Sequence, residues 1–182
     1  MDIRRKLIVP ALVGALYAGM TLILMPISYG PMQFRVSEVL CVLPYFLPET
    51  AWGLWIGCVI ANIYSAYGIL DIVFGSLATL GAGLCTARIG KRWRETGEEP
   101  RLLECTAACL MPSLWNGVII GGILAWTLTP GTLVSGWVLM GGQIALEETA
   151  VMLIGGLFLM RQLMKNGRWL GLLRGQNSVA ER

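Results

Sequence analysis

The sequence predicts an all-helical integral membrane protein, and three observations support this class. Hydrophobic residues make up 55% of the 182 residues, and the mean hydropathy is +0.66. Only 14% of the residues are charged, whereas a soluble domain averages about a quarter. Every Lys and Arg except Arg35 lies in one of three basic clusters, which long apolar runs separate: residues 4–6, 88–101 and 161–182. A soluble fold of this length could not bury so much apolar surface, so we expect lipid to surround it.

The basic clusters also predict the orientation of the chain. Cytoplasmic loops of membrane proteins carry an excess of Lys and Arg. Both termini and the loop 88–101 are therefore expected to face the cytoplasm of a multi-pass protein in the cell membrane. Because the basic residues flank apolar runs, they indicate anchoring and no nucleic-acid partner. Arg35 falls on the opposite side, where this bias does not explain it, and is the first candidate for a functional residue.

Apolar runs predict six helices within a single membrane domain covering residues 1–182. Their approximate ranges are 7–25, 36–47, 51–63, 69–87, 102–126 and 133–163. A run of this kind crosses a core of about 30 Å when it has about 20 helical residues. The runs 36–47 and 51–63 are shorter, so they could be two tilted or half-buried helices or a re-entrant hairpin. Either arrangement returns the chain to the same side before residue 69, so charge bias does not separate them.

Several motifs of soluble enzymes are absent from the sequence. There is no His, which removes the commonest general base and metal ligand. The five Cys residues form no C-x-x-C pair. The sequence contains no P-loop motif, no G-x-S-x-G and no H-E-x-x-H. We therefore expect neither an enzyme nor a bound cofactor or metal, and any ATP hydrolysis must come from another subunit.

Charged residues at membrane depth are costly and are usually functional. Arg35 and Glu38 are three residues apart and so are neighbours on a helix. Glu147 and Glu148 point about 100° apart, so we expect one to face the bundle interior and the other to meet a neighbouring helix. The ligand-binding candidates that we select are Gln33, Arg35, Glu38, Tyr64, Asp71, Trp115, Asn116, Gln143, Glu147 and Glu148.

Structural roles for the same residues remain open at this point. Arg35 could contact a lipid phosphate, with Glu38 as its partner. Asp71 could cap a helix N-terminus, and Asn116 could form an interhelical hydrogen bond. The functional interpretation is favoured because the residues come from several helices and mostly lie in the outer half. Together they predict one polar, partly aromatic pocket that opens to the outside.

Small residues form one face of the first helix, at Ala11, Gly14, Ala15, Ala18 and Gly19. A face of this kind allows another helix backbone to approach closely. Two interpretations stay open: packing inside this protein, or docking of another membrane subunit through Ala11, Ala15, Ala18 and Gly19.

Three stretches together resemble a known family. They are Pro-Ile-Ser-Tyr-Gly-Pro-Met-Gln-Phe-Arg-Val-Ser-Glu at 26–38, Leu-Asp-Ile-Val-Phe-Gly-Ser-Leu-Ala-Thr-Leu at 70–80, and Leu-Glu-Glu-Thr-Ala at 146–150. These stretches resemble the QueT family of queuosine-precursor transporters, which are substrate-binding S components of energy-coupling factor (ECF) transporters. The resemblance covers most of the chain.

The resemblance implies a six-helix S-component fold with cytoplasmic termini. It also implies a 7-deazaguanine substrate, in the 7-cyano or 7-aminomethyl form, and partnership with a transmembrane coupling subunit and two cytoplasmic ATPases. Ala11 and Ala15 match the family's Ala-x-x-x-Ala docking motif. Glu147 stands where a small residue is expected before the family's Glu, here Glu148, so either of the two could face the pocket.

A 7-deazaguanine offers adjacent N–H donors, which suit an ionised carboxylate. We expect Glu147 or Glu148, with Asp71, to hold the base, and the loop 26–35 to close over it. The carbonyl group of the base could accept a hydrogen bond from Arg35, Gln143 or Asn116. A cationic aminomethyl group could pair with Glu38 or Asp71. The aromatic rings available for stacking on the base are Tyr29, Phe34, Tyr64 and Trp115. Alternatives are an S component for another vitamin-like molecule and a stand-alone proton-coupled carrier.

Overall fold

A computed structural model describes residues 3–29, 34–65 and 67–166, with side chains from Lys6 onward. These residues are helical and contain no strand, which confirms the all-helical prediction. We number the main helices in chain order: α1 Ile3–Ile23, α2 Val36–Tyr45, α3 Thr50–Asn62, α4 Asp71–Ile89, α5 Leu102–Leu128 and α6 Pro130–Lys165. A short helix, Met25–Ser28, follows α1, and another, Lys91–Thr96, lies within the stretch predicted as a loop.

Four helices are long and apolar enough to cross a membrane. They are α1 from Lys6 onward, α4, α5 and α6. The helices α2 and α3 are apolar but shorter, and they are the two segments whose arrangement the sequence leaves open. By length and composition, the protein therefore has several membrane-spanning candidates within the described residues.

Three segments depart from regular α-helix. The whole of α2 is a 3-10 helix, in which hydrogen bonds join residues three apart. π-Helical turns open α4, at Asp71–Gly75, and interrupt α6, at Met152–Gly156. Such turns are often found at functional sites. The π-turn of α4 contains Asp71, which is one of the predicted ligand-binding residues.

Glycines allow two pairs of helices to cross at backbone contact. A Cβ atom on Gly53 of α3 would overlap the backbone of Pro10 in α1. Likewise, a Cβ atom on Gly141 of α6 would overlap the carbonyl oxygen of Gly117 in α5. Close packing of this kind is how helices associate in lipid, where the hydrophobic effect does not drive them together.

Arg92 and Arg94 hold together one end of the fold, which we call the basic end. Arg94 donates hydrogen bonds to the carbonyl oxygens of Tyr45 and Ala87, at 2.5 and 2.6 Å, and so joins the last turns of α2 and α4. Arg92 donates to Glu104 at the start of α5, at 2.7 Å. A buried cluster packs beneath these contacts, and its largest members are Tyr45, Phe46, Trp93, Met152 and Met160. These tertiary contacts explain why the helix Lys91–Thr96 forms in a stretch with no apolar run.

Candidate ligand-binding site

Arg35 and Asp71 form a buried ion pair at the opposite end of the fold from Arg94. Arg35 Nη2 lies 3.2 Å from Asp71 Oδ2, and the two side chains are 4% and 3% exposed. Ser65 Oγ donates to the same carboxylate oxygen at 2.5 Å. The Tyr29 ring lies against the guanidinium, with Arg35 Cζ 5.9 Å from the ring centroid. These contacts join the beginning of α2 to the beginning of α4, and they place the Arg35 guanidinium against the Asp71 carboxylate.

The end of α3 is held to the same cluster. Asn62 Nδ2 donates to the backbone oxygen of Asp71 at 2.8 Å. Tyr29 donates its hydroxyl to the carbonyl oxygen of Ala61 at 2.6 Å. Gly75 is also close, because a Cβ atom there would lie 2.8 Å from Asn62 Nδ2 and 3.1 Å from Asp71 Oδ1. The π-turn of α4 and the C-terminal turn of α3 therefore form one polar wall.

Glu38 is completely buried between α1 and α2. Tyr17 donates its hydroxyl to Glu38 Oε1 at 2.5 Å, and Cys41 Sγ lies 3.0 Å from Oε2. A hydrogen bond of 2.6 Å between the hydroxyls of Thr21 and Ser37 continues this polar seam. Both carboxylate oxygens of Glu38 thus have donors within the protein.

Glu147 and Glu148 have different environments. Asn116 Nδ2 of α5 donates to Glu148 Oε1 at 2.8 Å, and Glu148 is 4% exposed. Glu147 accepts a hydrogen bond from Gln143, one turn earlier on α6, at 2.9 Å. Of the two acidic residues, Glu148 is therefore the one that faces another helix of the fold through a hydrogen bond.

Eight buried side-chain polar atoms have no hydrogen-bond partner among the described residues, and two of them are Ser28 Oγ and Glu49 Oε1. The other six belong to residues on five segments, and they are Arg35 Nε, Asn62 Oδ1, Ser76 Oγ, Ser113 Oγ, Asn116 Oδ1 and Glu148 Oε2. Buried polar groups in proteins are nearly always hydrogen-bonded. Three of these six atoms are acceptors, two are hydroxyls and one is a guanidinium donor. A polar ligand with N–H donors would satisfy the three acceptors, and an acceptor such as a carbonyl oxygen on the same ligand would satisfy Arg35 Nε.

Some predicted residues lie apart from this cluster. The Trp115 ring packs on α4, where a Cβ atom on Gly81 would lie 2.8 Å from it. Tyr64 is 61% exposed, and Gln143 is exposed apart from its bond to Glu147. Phe34 is half-buried. Gln33 lies outside the described residues.

Sequence reasoning missed several polar residues of the cluster, namely Tyr17, Asn62, Ser65, Ser76 and Ser113. Asn62 carries the same signal that selected Asn116, since it is an amide within an apolar run. The serines carry no such signal, because a single hydroxyl in a membrane helix is common and can bond to its own backbone.

The small-residue face of α1 is divided between two surroundings. Ala11 and Ala15 are exposed and line a groove of about 480 Å³ between α1 and α3. Ala18 is 5% exposed, and Gly14 packs on Gly53, so these two residues face the interior. Gly19 is half-buried, with open space where a Cβ atom would point. On α1, Gly14 and Ala18 therefore pack inside the protein, whereas Ala11 and Ala15 face outward.

Within the described residues, no group of three or more Cys, Asp or Glu is placed to hold a metal ion. The four carboxylates at the polar end are instead engaged separately, by Arg35 and Ser65, by Tyr17 and Cys41, by Gln143 and by Asn116. The arrangement is suited to binding a polar organic molecule.

Comparison with known proteins gives a family match over most of the chain. The profile of a family described as "QueT transporter" matches residues 7–165. A protein of Lactococcus lactis subsp. cremoris (strain MG1363), named "Queuosine precursor transporter QueT", is 43% identical over 72 residues. The match covers 38% of this chain and 42% of that relative, so the chain spans less than half the length of the curated relative. No solved structure matches the chain.

Proposed function

Because this chain belongs to the QueT transporter family, we propose that it is the substrate-binding membrane subunit of an ECF-type importer for a queuosine precursor. The proposed substrate is 7-aminomethyl- or 7-cyano-7-deazaguanine. Membership of a transporter family and four helices able to cross a membrane make the chain a multi-pass membrane protein. The name of the Lactococcus relative supports the substrate class.

The pair Asn116–Glu148 carries the proposal. Its two remaining oxygens, Asn116 Oδ1 and Glu148 Oε2, are buried and have no partner in the described part of the chain. The Watson–Crick edge of a 7-deazaguanine presents a ring N–H beside an exocyclic amine. An ionised carboxylate accepts such adjacent donors in short, charge-assisted hydrogen bonds. We place the base edge at Glu148, with Asn116 orienting the carboxylate through its 2.8 Å hydrogen bond.

The charge balance of the site favours the cationic form of the substrate. Arg35 is its one described cation, against the four carboxylates of Glu38, Asp71, Glu147 and Glu148. A buried charge is stable only when it is paired or hydrogen-bonded. An aminomethyl group would supply a second positive charge, whereas a nitrile would not. We therefore expect 7-aminomethyl-7-deazaguanine to bind more tightly than the 7-cyano form.

We assign closure over the ligand to the segment 26–35, which begins within the short helix Met25–Ser28. Tyr29 and Arg35 belong to this segment and are in cation–π contact. The same two residues are tied to α3 and α4, through Ala61 and Asp71. A ligand that accepts a hydrogen bond from Arg35 Nε would thus contact this segment directly.

Energy coupling is assigned to partner subunits. The exposed pair Ala11 and Ala15 lines the groove between α1 and α3, which suits close approach by a helix of a transmembrane coupling subunit. Two cytoplasmic ATPases would drive the cycle, as the chain has no P-loop. The basic end of the fold, which includes Arg92 and Arg94, would then face the cytoplasm.

Isothermal titration of the purified protein tests the proposal. The ligands are 7-aminomethyl-7-deazaguanine, 7-cyano-7-deazaguanine and guanine, and the binding-site variant is Glu148→Gln. Glu95→Gln is the control, because Glu95 is an exposed carboxylate at the basic end. We expect tight binding of a deazaguanine, a loss of about tenfold or more in affinity for Glu148→Gln, and no change for Glu95→Gln.

Two results of this titration and one result of a transport assay would count against the proposal. Absence of binding by folded protein would remove the substrate assignment, and wild-type affinity in Glu148→Gln would remove the site. Uptake by the isolated chain in energised vesicles, abolished by an uncoupler, would instead identify a proton-coupled carrier.

A further inference from the structure

A second groove lies at the basic end of the fold, far from Arg35 and Asp71. It has a volume of about 490 Å³ and lies between the last turns of α6 and the segment that follows the helix Lys91–Thr96. Arg161, Met164 and Lys165 form one wall. Trp93, Gly97 and Glu99 lie on the other side, where the left-handed backbone of Gly97 turns the chain.

The two cations of this groove are available for a ligand. Arg161 and Lys165 are exposed, and neither has a carboxylate within ion-pair distance in the described ranges. By contrast, Lys91 is paired with Glu95, and Arg92 with Glu98 and Glu104. With Glu99 also in the lining, the groove carries two positive charges and one negative charge, a balance of +1. This balance fits a ligand with one negative charge.

The same face of α6 is apolar further into the span. Phe158, Arg161 and Lys165 are spaced i, i+3 and i+7 on the helix Leu157–Lys165, so they lie on one face. Phe158 is 63% exposed, although it belongs to a helix apolar enough to cross a membrane. An occupant of this face therefore needs an anionic head beside the two cations and a hydrocarbon tail beside Phe158.

We propose that this groove binds the headgroup of an anionic glycerophospholipid. The phosphodiester would lie between Arg161 and Lys165, and an acyl chain would run along α6 past Phe158. Cations at the cytoplasmic ends of membrane helices attract anionic lipids by about 1 kcal/mol each.

Native mass spectrometry of the detergent-purified protein tests the proposal. The probes are phosphatidylglycerol and phosphatidylcholine with the same acyl chains. We expect wild-type protein to retain phosphatidylglycerol selectively. The double variant Arg161→Gln/Lys165→Gln should bind it about thirtyfold more weakly. The control Arg88→Gln/Lys91→Gln removes the same charge at the same end, outside the groove, and should retain wild-type binding.

Two further variants separate the groove from general effects of charge and folding. The exchange Arg161→Lys/Lys165→Arg keeps both cations and should preserve binding, whereas Glu99→Gln should strengthen it about fivefold. Equal uptake of the two lipids by wild-type protein would overturn the proposal, as would equal losses in the double variant and its control. Wild-type lipid binding in a double variant that no longer associates with its coupling subunit would identify a protein-docking surface instead.

Discussion

Arg35 Nη2 and Asp71 Oδ2 lie 3.2 Å apart in a buried ion pair between segments that are 36 residues apart in the chain. The two side chains are 4% and 3% exposed, so bulk water solvates neither charge. Ser65 supplies a further donor to the carboxylate. The pair therefore fixes the start of α2 against the start of α4, and it does so at the proposed ligand site.

Removal of one partner of this pair should be strongly destabilising. Asp71→Asn or Arg35→Gln leaves an unpaired buried charge, which costs about 3–5 kcal/mol. The double variant Arg35→Gln/Asp71→Asn should lose clearly less stability than the sum of the two single variants. Unfolding in detergent, followed by circular dichroism, measures all three. Additive losses would mean that the two charges do not stabilise each other.

The hydroxyl of Tyr17 should stabilise the buried carboxylate of Glu38. Tyr17→Phe keeps the ring but removes the donor that lies 2.5 Å from Glu38 Oε1. Loss of a partner from a buried acceptor costs about 1–3 kcal/mol. Tyr67→Phe makes the same chemical change at a residue that is 41% exposed, and it should leave unfolding unchanged. If both variants unfold like the wild-type protein, the Tyr17 hydrogen bond contributes nothing to stability.

The crossing of α5 and α6 should tolerate no side chain at Gly141. Gly141→Ala places a methyl group against the carbonyl oxygen of Gly117, and overpacking of this kind costs about 1–3 kcal/mol. Gly142→Ala adds the same group one residue later, where no heavy atom of another helix lies within 4 Å. Thermal unfolding should therefore separate the two neighbouring variants. Equal melting temperatures would show that the helices shift apart freely.

The proposed docking of a coupling subunit on the outward pair of α1 predicts that bulk at these two residues blocks ATP-driven uptake without affecting ligand binding. Ala11→Leu/Ala15→Leu fills the groove between α1 and α3, whereas Leu12→Phe enlarges an exposed residue outside it. Reconstituted vesicles with the coupling subunits should lose ATP-driven uptake in the first case only. Titration of the isolated chain should give wild-type affinity for both variants. Normal uptake by the double Leu variant would place the docking surface elsewhere.

Composition and charge were sufficient to predict the class of the fold. Apolar runs fold as helices in lipid because the backbone must satisfy its own hydrogen bonds there. The 3-10 geometry of α2 could not be predicted, since an apolar run with Pro44 is compatible with several short helices. The helix Lys91–Thr96 depends on Arg94, which bonds to carbonyl oxygens far away in sequence. Local periodicity contains no information about such contacts.

The candidate site was predictable where a charge interrupts an apolar run. Arg35, Asp71 and Glu148 stand out for this reason, and the structure gives each of them a buried polar partner. The pairing itself was not predictable, because no spacing rule links residue 35 to residue 71. Tyr17 was missed because tyrosine is an ordinary packing residue, and only the position of Glu38 gives its hydroxyl a role.

The 3-10 geometry of α2 changes how far ten residues can reach. An α-helix rises about 1.5 Å per residue and would cover about 15 Å, whereas a 3-10 helix rises about 2.0 Å and covers about 20 Å. The segment Val36–Tyr45 is therefore longer than an α-helix of ten residues. It runs from the Arg35–Asp71 ion pair to the carbonyl oxygen of Tyr45, which accepts a hydrogen bond from Arg94. The extra length of about 5 Å lets a segment too short to cross the membrane as an α-helix connect the buried Arg35–Asp71 pair to the basic end of the fold.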